Sequence, residues 1–175
     1  MTEIRKCHEY DIEDTGRFYD DVAYWLTNHA NYPQWIYQVY PNEESVEQQI
    51  KARAQYIYTI DETTYGAFAL TNKPQGAFHK GQWSKDLSDG SYMVIHALAI
   101  HPKSQRQGIA SEIIRFCINC AKRQGFKAIR LDVIPNNIPA RSLFEKNGFH
   151  YVGDVDLEVG IKDIPAFSLY EYNFS

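Results

Sequence analysis

The turn Gln105–Ala110 (QRQGIA) has the residue types needed to bind a diphosphate, and it stands at the start of a helical pattern. The first backbone N–H groups of a helix have no partners within it, and the helix dipole adds partial positive charge there. A diphosphate can accept hydrogen bonds from these groups. Gly108 has no Cβ to keep phosphate oxygens from the backbone, Ala110 keeps the next turn small, and Arg106 adds charge. The turn therefore predicts a diphosphate site.

Two other nucleotide-binding patterns fit this turn less well. A P-loop is excluded because no Gly-Lys-Ser/Thr follows the glycine. A dinucleotide-binding fold remains a weaker alternative, since Asp132 lies on the next predicted strand, roughly where a ribose-binding acid would stand. The glycines of that fold's Gly-x-Gly-x-x-Gly pattern are absent, however, and Asp132 falls in the middle of its strand.

His96 is the candidate for proton transfer. It interrupts the apolar segment Tyr92–Ile100 (YMVIHALAI), which is typical of a central strand covered on both faces. A histidine in such a position can act as a general base, since its ordinary pKa lies near neutral pH. The alternative is a buried neutral histidine that is hydrogen-bonded for packing. The sequence leaves both open.

Cys117 and Cys120 have the spacing of a redox or zinc motif, but their position argues against both. They fall about two turns inside a predicted helix, whereas a redox cysteine gains its low pKa at a helix N-terminus. Cys7 is the third cysteine of the chain, so a four-cysteine zinc site cannot form. We expect both side chains to pack in the core.

The elements that position these residues follow from periodicity and breakers. Strands are predicted at Ile4–His8, Tyr56–Ile60, Tyr65–Leu70, Tyr92–Ile100, Ala128–Ile134, Phe149–Val152 and Ala166–Phe174. Helices are predicted after Asp11 or Asp14, after a capping box of Ser45 and Gln48, at 108–124 and at Pro139–Asn147. A β-α-β centre flanked by strand pairs predicts an α/β chain with a mixed sheet.

Bulk properties exclude several classes of protein. The chain has 175 residues, enough for one domain spanning 1–175, and its net charge is −4. An acidic balance argues against a nucleic-acid partner. No segment has the length of a membrane span or the apolar core of a signal peptide, so we expect a cytoplasmic protein without a membrane partner.

Three motifs in order resemble those of the GNAT superfamily of acyl-CoA N-acyltransferases. Gln105, Gly108 and Ala110 match the family's pyrophosphate motif, Gln/Arg-x-x-Gly-x-Gly/Ala. Asn137 and Ala140 match an Asn-x-x-Ala stretch after the next strand, and LFEKNGF (143–149) is similar to Leu-Tyr-Glu-Lys-x-Gly-Phe. The resemblance implies a mostly antiparallel central sheet of about six or seven strands, flanked by helices on both faces, and a possible homodimer through the C-terminal strands.

The resemblance also implies roles for individual residues, with acetyl-CoA as co-substrate and no metal. The backbone of Leu98, Ala99 and Ile100 would pair with the pantetheine amides. The pyrophosphate would be held by Gln105, Arg106, Gln107, Gly108, Ile109, Ala110 and Ser111. The other side of the coenzyme would contact Asn137, Ala140, Phe144 and Lys146, although Asn137 also has the position of a helix N-cap. His96 lies in a stretch similar to that of serotonin N-acetyltransferases, where a histidine serves in the active site.

Phe144 departs from the family pattern, in which a tyrosine can protonate the leaving thiolate. Water or another tyrosine would then supply the proton, with Tyr92, Tyr170 and Tyr172 as candidates, or the thiolate leaves unassisted. The leading hypothesis is therefore an N-acetyltransferase that acts on a primary amine, by direct attack on the thioester. The alternative is a catalytically silent acyl-CoA-binding or sensing module.

The acceptor is expected to be a small-molecule amine held by aromatic side chains. Trp35, Tyr40 and Trp83 lie in the two segments between predicted elements that are richest in aromatic residues. Aromatic walls can bind a cationic amine by cation–π contact. The alternative is that these residues cover the edge of the sheet.

Overall fold

The computed structural model describes residues 1–175 and contains one seven-stranded mixed sheet in the order β1-β2-β3-β4-β5-β7-β6. The strands are β1 (Thr2–Lys6), β2 (Gln55–Ile60), β3 (Thr63–Thr71), β4 (Met93–Ile100), β5 (Ala128–Val133), β6 (His150–Val155) and β7 (Phe167–Asn173). The α-helices are α1 (Ile12–Thr27), α2 (Glu43–Lys51), α3 (Ile109–Arg123) and α4 (Ile138–Lys146). Only β4 and β5 run parallel, and all other neighbours are antiparallel. The predicted fold class is confirmed.

The helices lie on both faces of the sheet. Side chains alternate along a strand, so Tyr56 and Tyr58 of β2 pack in the same core cluster as α3, whereas Ile57 packs with α1 and α2. Helix α3 connects β4 to β5, because parallel neighbours require a crossover that returns the chain to the same end of the sheet.

Helix α3 is fixed at both ends by glycines with positive φ. Gly108 precedes it at φ 80° and Gly125 follows it at φ 82°, a conformation that side chains with a Cβ rarely adopt. Cys117 and Cys120 are free and buried in its packed face, at 0% and 9% exposure. Their expected place in the core is confirmed.

The start of α2 differs from the prediction. Asn42 is the N-cap and its side chain accepts a hydrogen bond from Ser45 N at 2.9 Å, while the Ser45 hydroxyl accepts one from Asn42 N. The capping box is therefore formed by Asn42 and Ser45, three residues before the predicted pair of Ser45 and Gln48. Asparagine caps as well as serine does, and a proline before it ends the preceding loop.

No helix of the structure is long and apolar enough to cross a membrane.

Candidate active site

Strands β4 and β5 pair at two positions and then separate. Met93 pairs with Ile129 and Val94 with Arg130, and no pair beyond them joins the two strands. A cavity of about 590 Å³ opens between the diverging ends and reaches from Ala110 on α3 to the loop between α1 and α2. Unpaired backbone in the middle of a sheet is a place where a ligand can add hydrogen bonds.

A β-bulge in β4 turns consecutive residues toward this cavity. Ala97 has φ 50°, and the pairing register with β3 shifts at this point. The buried Tyr19 hydroxyl donates a 2.7 Å hydrogen bond to the Ala97 carbonyl and so holds the bulge in place. Because of the bulge, His96, Ala97 and Leu98 all line the cavity, where a regular strand would turn every second side chain away.

His96, Tyr40 and Asp132 meet in the middle of the cavity. The Tyr40 hydroxyl lies 2.6 Å from His96 Nε2. Burial lowers the pKa of His96, and the charge of Asp132 opposes this shift. Burial also raises the pKa of Asp132 and raises that of Tyr40 to about 12. At neutral pH the imidazole is therefore neutral and the phenol protonated, so that the Tyr40 hydroxyl can donate to an imidazole nitrogen.

A second cavity of about 240 Å³ reaches the same His96–Asp132 pair from another side. Its polar lining consists of Gln48, Gln49, Thr71, Lys73 and Gln75. The pair is thus accessible both from an apolar and from a polar space.

The start of α3 presents free backbone donors in the way that a diphosphate needs. The backbone N–H groups from Gln105 to Ser111 donate no hydrogen bond within the protein. A Cβ placed on Gly108 would meet no atom within 4 Å, so the space above this turn is open. Arg106, with φ 63°, is exposed beside it. The residues present therefore fit the diphosphate of coenzyme A.

The edge of β4 that faces the gap offers further backbone groups. His101 N donates to Tyr65 O at 2.8 Å, and bonded and non-bonded pairs alternate along an antiparallel ladder. By this alternation the N–H and C=O groups of Ala99, which pairs with Ala67, face β3, and we expect those of Leu98 and Ile100 to face the gap. This alternation favours Leu98 and Ile100 over Ala99 for the predicted backbone contact with pantetheine, which stays a prediction.

Helix α4 forms the wall opposite β4. Asn137 caps it by accepting a hydrogen bond from Ala140 N at 3.2 Å, and Asn137, Ala140 and Phe144 all line the cavity. Asn147 Nδ2 donates to Ser111 Oγ at 3.1 Å and ties the end of α4 to the start of α3. Lys146 is exposed and does not line the cavity.

The tyrosines considered as substitutes for a hydroxyl at Phe144 lie elsewhere. Tyr92 donates to Asp89, and Tyr170 donates to Glu145 Oε1 at 2.8 Å. Neither of them lines the cavity, and nor does Tyr172. Tyr40 is the one tyrosine in the cavity wall.

Two of the three predicted aromatic acceptor residues lie at the cavity. Trp35 and Tyr40 both line the cavity wall. The Asn31 side chain accepts a hydrogen bond from the backbone N–H of Trp35 at 3.1 Å and donates one to its backbone carbonyl at 2.7 Å. Trp83 does not. Its indole donates to the Phe78 carbonyl at 2.6 Å and its ring stacks on the Arg130 guanidinium at 4.3 Å. Trp83 therefore lies outside this cavity, because the long segment that carries it packs on the sheet.

Sequence reasoning missed part of the wall. The cavity is also lined by four apolar residues between β6 and β7, Leu157, Val159, Ile161 and Ile164. Their only signal is an alternation of apolar and polar residues in a segment without other motifs. Asp132 was considered only as a ribose ligand, although it is the one acid in its apolar strand.

Comparison with known proteins agrees with this geometry. The model of the acetyltransferase (GNAT) family matches residues 20–149. An acetyltransferase of the GNAT family from Streptococcus agalactiae superposes with a TM-score of 0.78 over 99% of this chain and 96% of its own, at 17% identity. The Salmonella typhimurium protein yncA, whose structure contains its cofactor acetyl-CoA, gives a TM-score of 0.71 over 100% and 95%, at 14% identity.

One curated relative is similar in sequence. GCN5-related N-acetyltransferase 6, chloroplastic, from Arabidopsis thaliana is 34% identical over 61 residues, which are 35% of this chain and 21% of that protein. The match therefore spans about a fifth of the relative's length. Since the family model covers most of the chain and the fold agrees over its whole length, the chain belongs to the GNAT family of acetyl-CoA-dependent N-acetyltransferases.

Proposed function

We propose that this protein transfers the acetyl group of acetyl-CoA to the primary amine of a small molecule, with His96 as the base. The proposal rests on one observation above all. A single cavity joins the start of α3, where backbone donors are free, to the neutral imidazole of His96.

The coenzyme is held by backbone more than by side chains. Leu98 and Ile100 pair with the pantetheine amides along the open edge of β4, as an added strand would. The N–H groups from Gln105 to Ser111 hold the diphosphate, while Asn137, Ala140 and Phe144 contact the other side of the pantetheine. Lys146, at the end of α4, is exposed and lies outside the cavity wall, so it contributes positive charge near the coenzyme and no contact inside the cavity. Bound acetyl-CoA supplies an acetyl group activated as a thioester.

The proton of the amine leaves through Tyr40 and His96. The Tyr40 hydroxyl donates to His96 Nε2, so its oxygen is free to accept a proton from the amine while it passes its own to the imidazole. The charge of Asp132 stabilises the imidazolium that results. The amine nitrogen then forms a bond to the carbonyl carbon, the carbon–sulfur bond breaks, and its electron pair leaves on the sulfur.

The N–H of Leu98 points into the gap and donates to the carbonyl oxygen as negative charge develops on it. The leaving sulfur is bordered by the Phe144 ring, which cannot donate a proton. The sulfur receives its proton from the solvent or from the protonated His96–Tyr40 pair, and the acetylated nitrogen gives its remaining excess proton to the solvent.

The test is thiol release from acetyl-CoA over a panel of amines, with calorimetry of acetyl-CoA and free CoA. We expect turnover, and we expect His96→Ala to lower kcat by about 10²- to 10⁴-fold with little change in the KM for acetyl-CoA. Tyr40→Phe should lower kcat as well. Tyr37, 39% exposed in the same loop and outside the cavity wall, gives a matched control, and Tyr37→Phe should leave kcat unchanged.

Tight binding of CoA without turnover of any amine would instead support the acyl-CoA-binding or sensing module that Phe144 suggested. An unchanged kcat in His96→Ala would remove His96 from the mechanism. The cytoplasmic location and the homodimer through the C-terminal strands stay predictions.

A further inference from the structure

Part of the cavity wall is formed by two loop segments to which the proposed binding mode assigns no coenzyme contact. We call it the loop end, formed by residues 33–40 and 157–167. Its lining side chains are Pro33, Gln34, Trp35, Ile36, Val39, Tyr40, Leu157, Val159, Ile161, Ile164 and Phe167. All but Gln34 and Tyr40 are apolar, and none carries a charge.

From this lining we propose that the acceptor is a primary amine on an apolar body, aromatic or alkyl, with no second charge. The inference rests on the proposed acetyl transfer and names the substrate class of that site. Asp132 is the only carboxylate in the whole cavity wall, and it stands beside His96 at the reacting centre. One ammonium group therefore has a partner, and a second one does not.

The loop end excludes other amines by desolvation. A polyamine or an aminoglycoside would place a second ammonium group among isoleucine, valine and leucine side chains, where an unpaired charge is strongly disfavoured. An amino acid would place a carboxylate there without a cationic partner. A peptide would bring backbone amides to a wall with few polar groups to receive them.

The mouth of the cavity is apolar as well. Ile36, Val39 and Ile161 are 62%, 61% and 52% exposed, although all three also line the cavity. They come from both segments that form the loop end, so an apolar body bound against them would remove exposed hydrophobic surface of both segments.

The polar second cavity does not offer a polycation a better place. It also reaches His96 and Asp132, but the only other charged side chain in its wall is Lys73, which repels a second ammonium group. It would suit an amine that carries a carboxylate, and the experiment must therefore distinguish that case.

The experiment compares amines that differ by a single charge. Hexylamine is paired with 1,6-diaminohexane, and 2-phenylethylamine with phenylalanine, each assayed for kcat/KM at saturating acetyl-CoA by thiol release. We expect kcat/KM for hexylamine and for 2-phenylethylamine to exceed kcat/KM for the paired amine by at least about tenfold. This is the effect of one unpaired charged group.

Ile161→Asp places a carboxylate at the exposed mouth, where it need not disturb folding. It should lower kcat/KM for hexylamine and raise it for 1,6-diaminohexane. Ile138, 58% exposed and outside the cavity wall, is the matched control, and Ile138→Asp should leave the ratio of the two amines as it is in the wild type.

A higher kcat/KM for the diamine or for phenylalanine would refute the apolar acceptor class but not the proposed acetyl transfer. A preference for phenylalanine that is lost in Lys73→Ala would assign the acceptor to the second cavity. An equal shift of the hexylamine to 1,6-diaminohexane ratio of kcat/KM in Ile161→Asp and Ile138→Asp would also refute the apolar acceptor class. Thiol release with none of these amines, nor with any other of a wide panel, would overturn both proposals together.

Discussion

Gly108 and Gly125 lie at opposite ends of α3 and have almost the same conformation, with φ values of 80° and 82°. A Cβ built on either glycine meets no atom within 4 Å. Replacing each by alanine therefore imposes the same backbone strain without a steric clash inside the protein. The two substitutions differ in what lies above the added methyl group, since only Gly108 belongs to the free backbone donors before α3.

The strain of a residue with a Cβ in the left-handed region is roughly 1–2 kcal/mol. For a protein of this size, 1 kcal/mol lowers Tm by roughly 2–4 °C, so each variant should melt about 2–8 °C below the wild type. At Gly108 the methyl group also occupies the space proposed for the diphosphate. Loss of one hydrogen bond to that charged group costs about 1.5–3 kcal/mol, which corresponds to a Kd roughly 10- to 150-fold higher.

Calorimetric titration with CoA and thermal melts of the ligand-free proteins measure the two effects separately. We expect Gly108→Ala and Gly125→Ala to melt alike, and only Gly108→Ala to bind CoA weakly. Equal CoA affinity in the two variants would refute the placement of the diphosphate at the start of α3. Weak binding in both would attribute the effect to strain in the helix.

Three further predictions concern the reacting centre. Phe144→Tyr should raise kcat, because a phenol beside the leaving sulfur can protonate it; an unchanged kcat would show that another donor or step limits the rate. Asp132→Asn should move the acid limb of the kcat/KM profile to lower pH than in the wild type, since burial lowers the pKa of His96 and the Asp132 charge holds it up; a shift to higher pH would contradict this assignment. Tyr19→Phe should reduce the free energy of unfolding in urea by about 1–3 kcal/mol and lower kcat, because it leaves the Ala97 carbonyl at the bulge without its donor. Wild-type values of both quantities would show that the bulge does not depend on this hydrogen bond.

The sequence predicts well those features that depend on neighbours along the chain. Every strand and the long helix α3 follow from local periodicity, and the turn at Gly108 follows from a helix start after an apolar strand. Fold class follows because a β-α-β unit fixes the one parallel pair. Local signals also place Asn137 as a cap.

Features that depend on distant neighbours could not be predicted. Tyr40 reaches His96 across 56 positions of sequence, and Tyr19 reaches Ala97 across 78. Trp83 has the same composition signal as Trp35, yet it stacks on Arg130, because that choice depends on how the segment folds back on the sheet. A bulge leaves no pattern in an apolar strand, so the turn of Leu98 toward the cavity could not be predicted.

The two-position pairing of β4 and β5 also has a mechanical consequence. Strands β1–β4 and β5–β7 are two halves of one sheet, and β4 and β5 pair at only two positions between them. A pantetheine bound as we propose would add main-chain hydrogen bonds where this pairing is missing. In that binding mode the coenzyme would be a structural part of the sheet, and its binding energy would help to hold the two halves together. Amide hydrogen exchange along the second half of β4 should slow when CoA binds, more than at the outer strand β1, whose pairing the ligand does not touch.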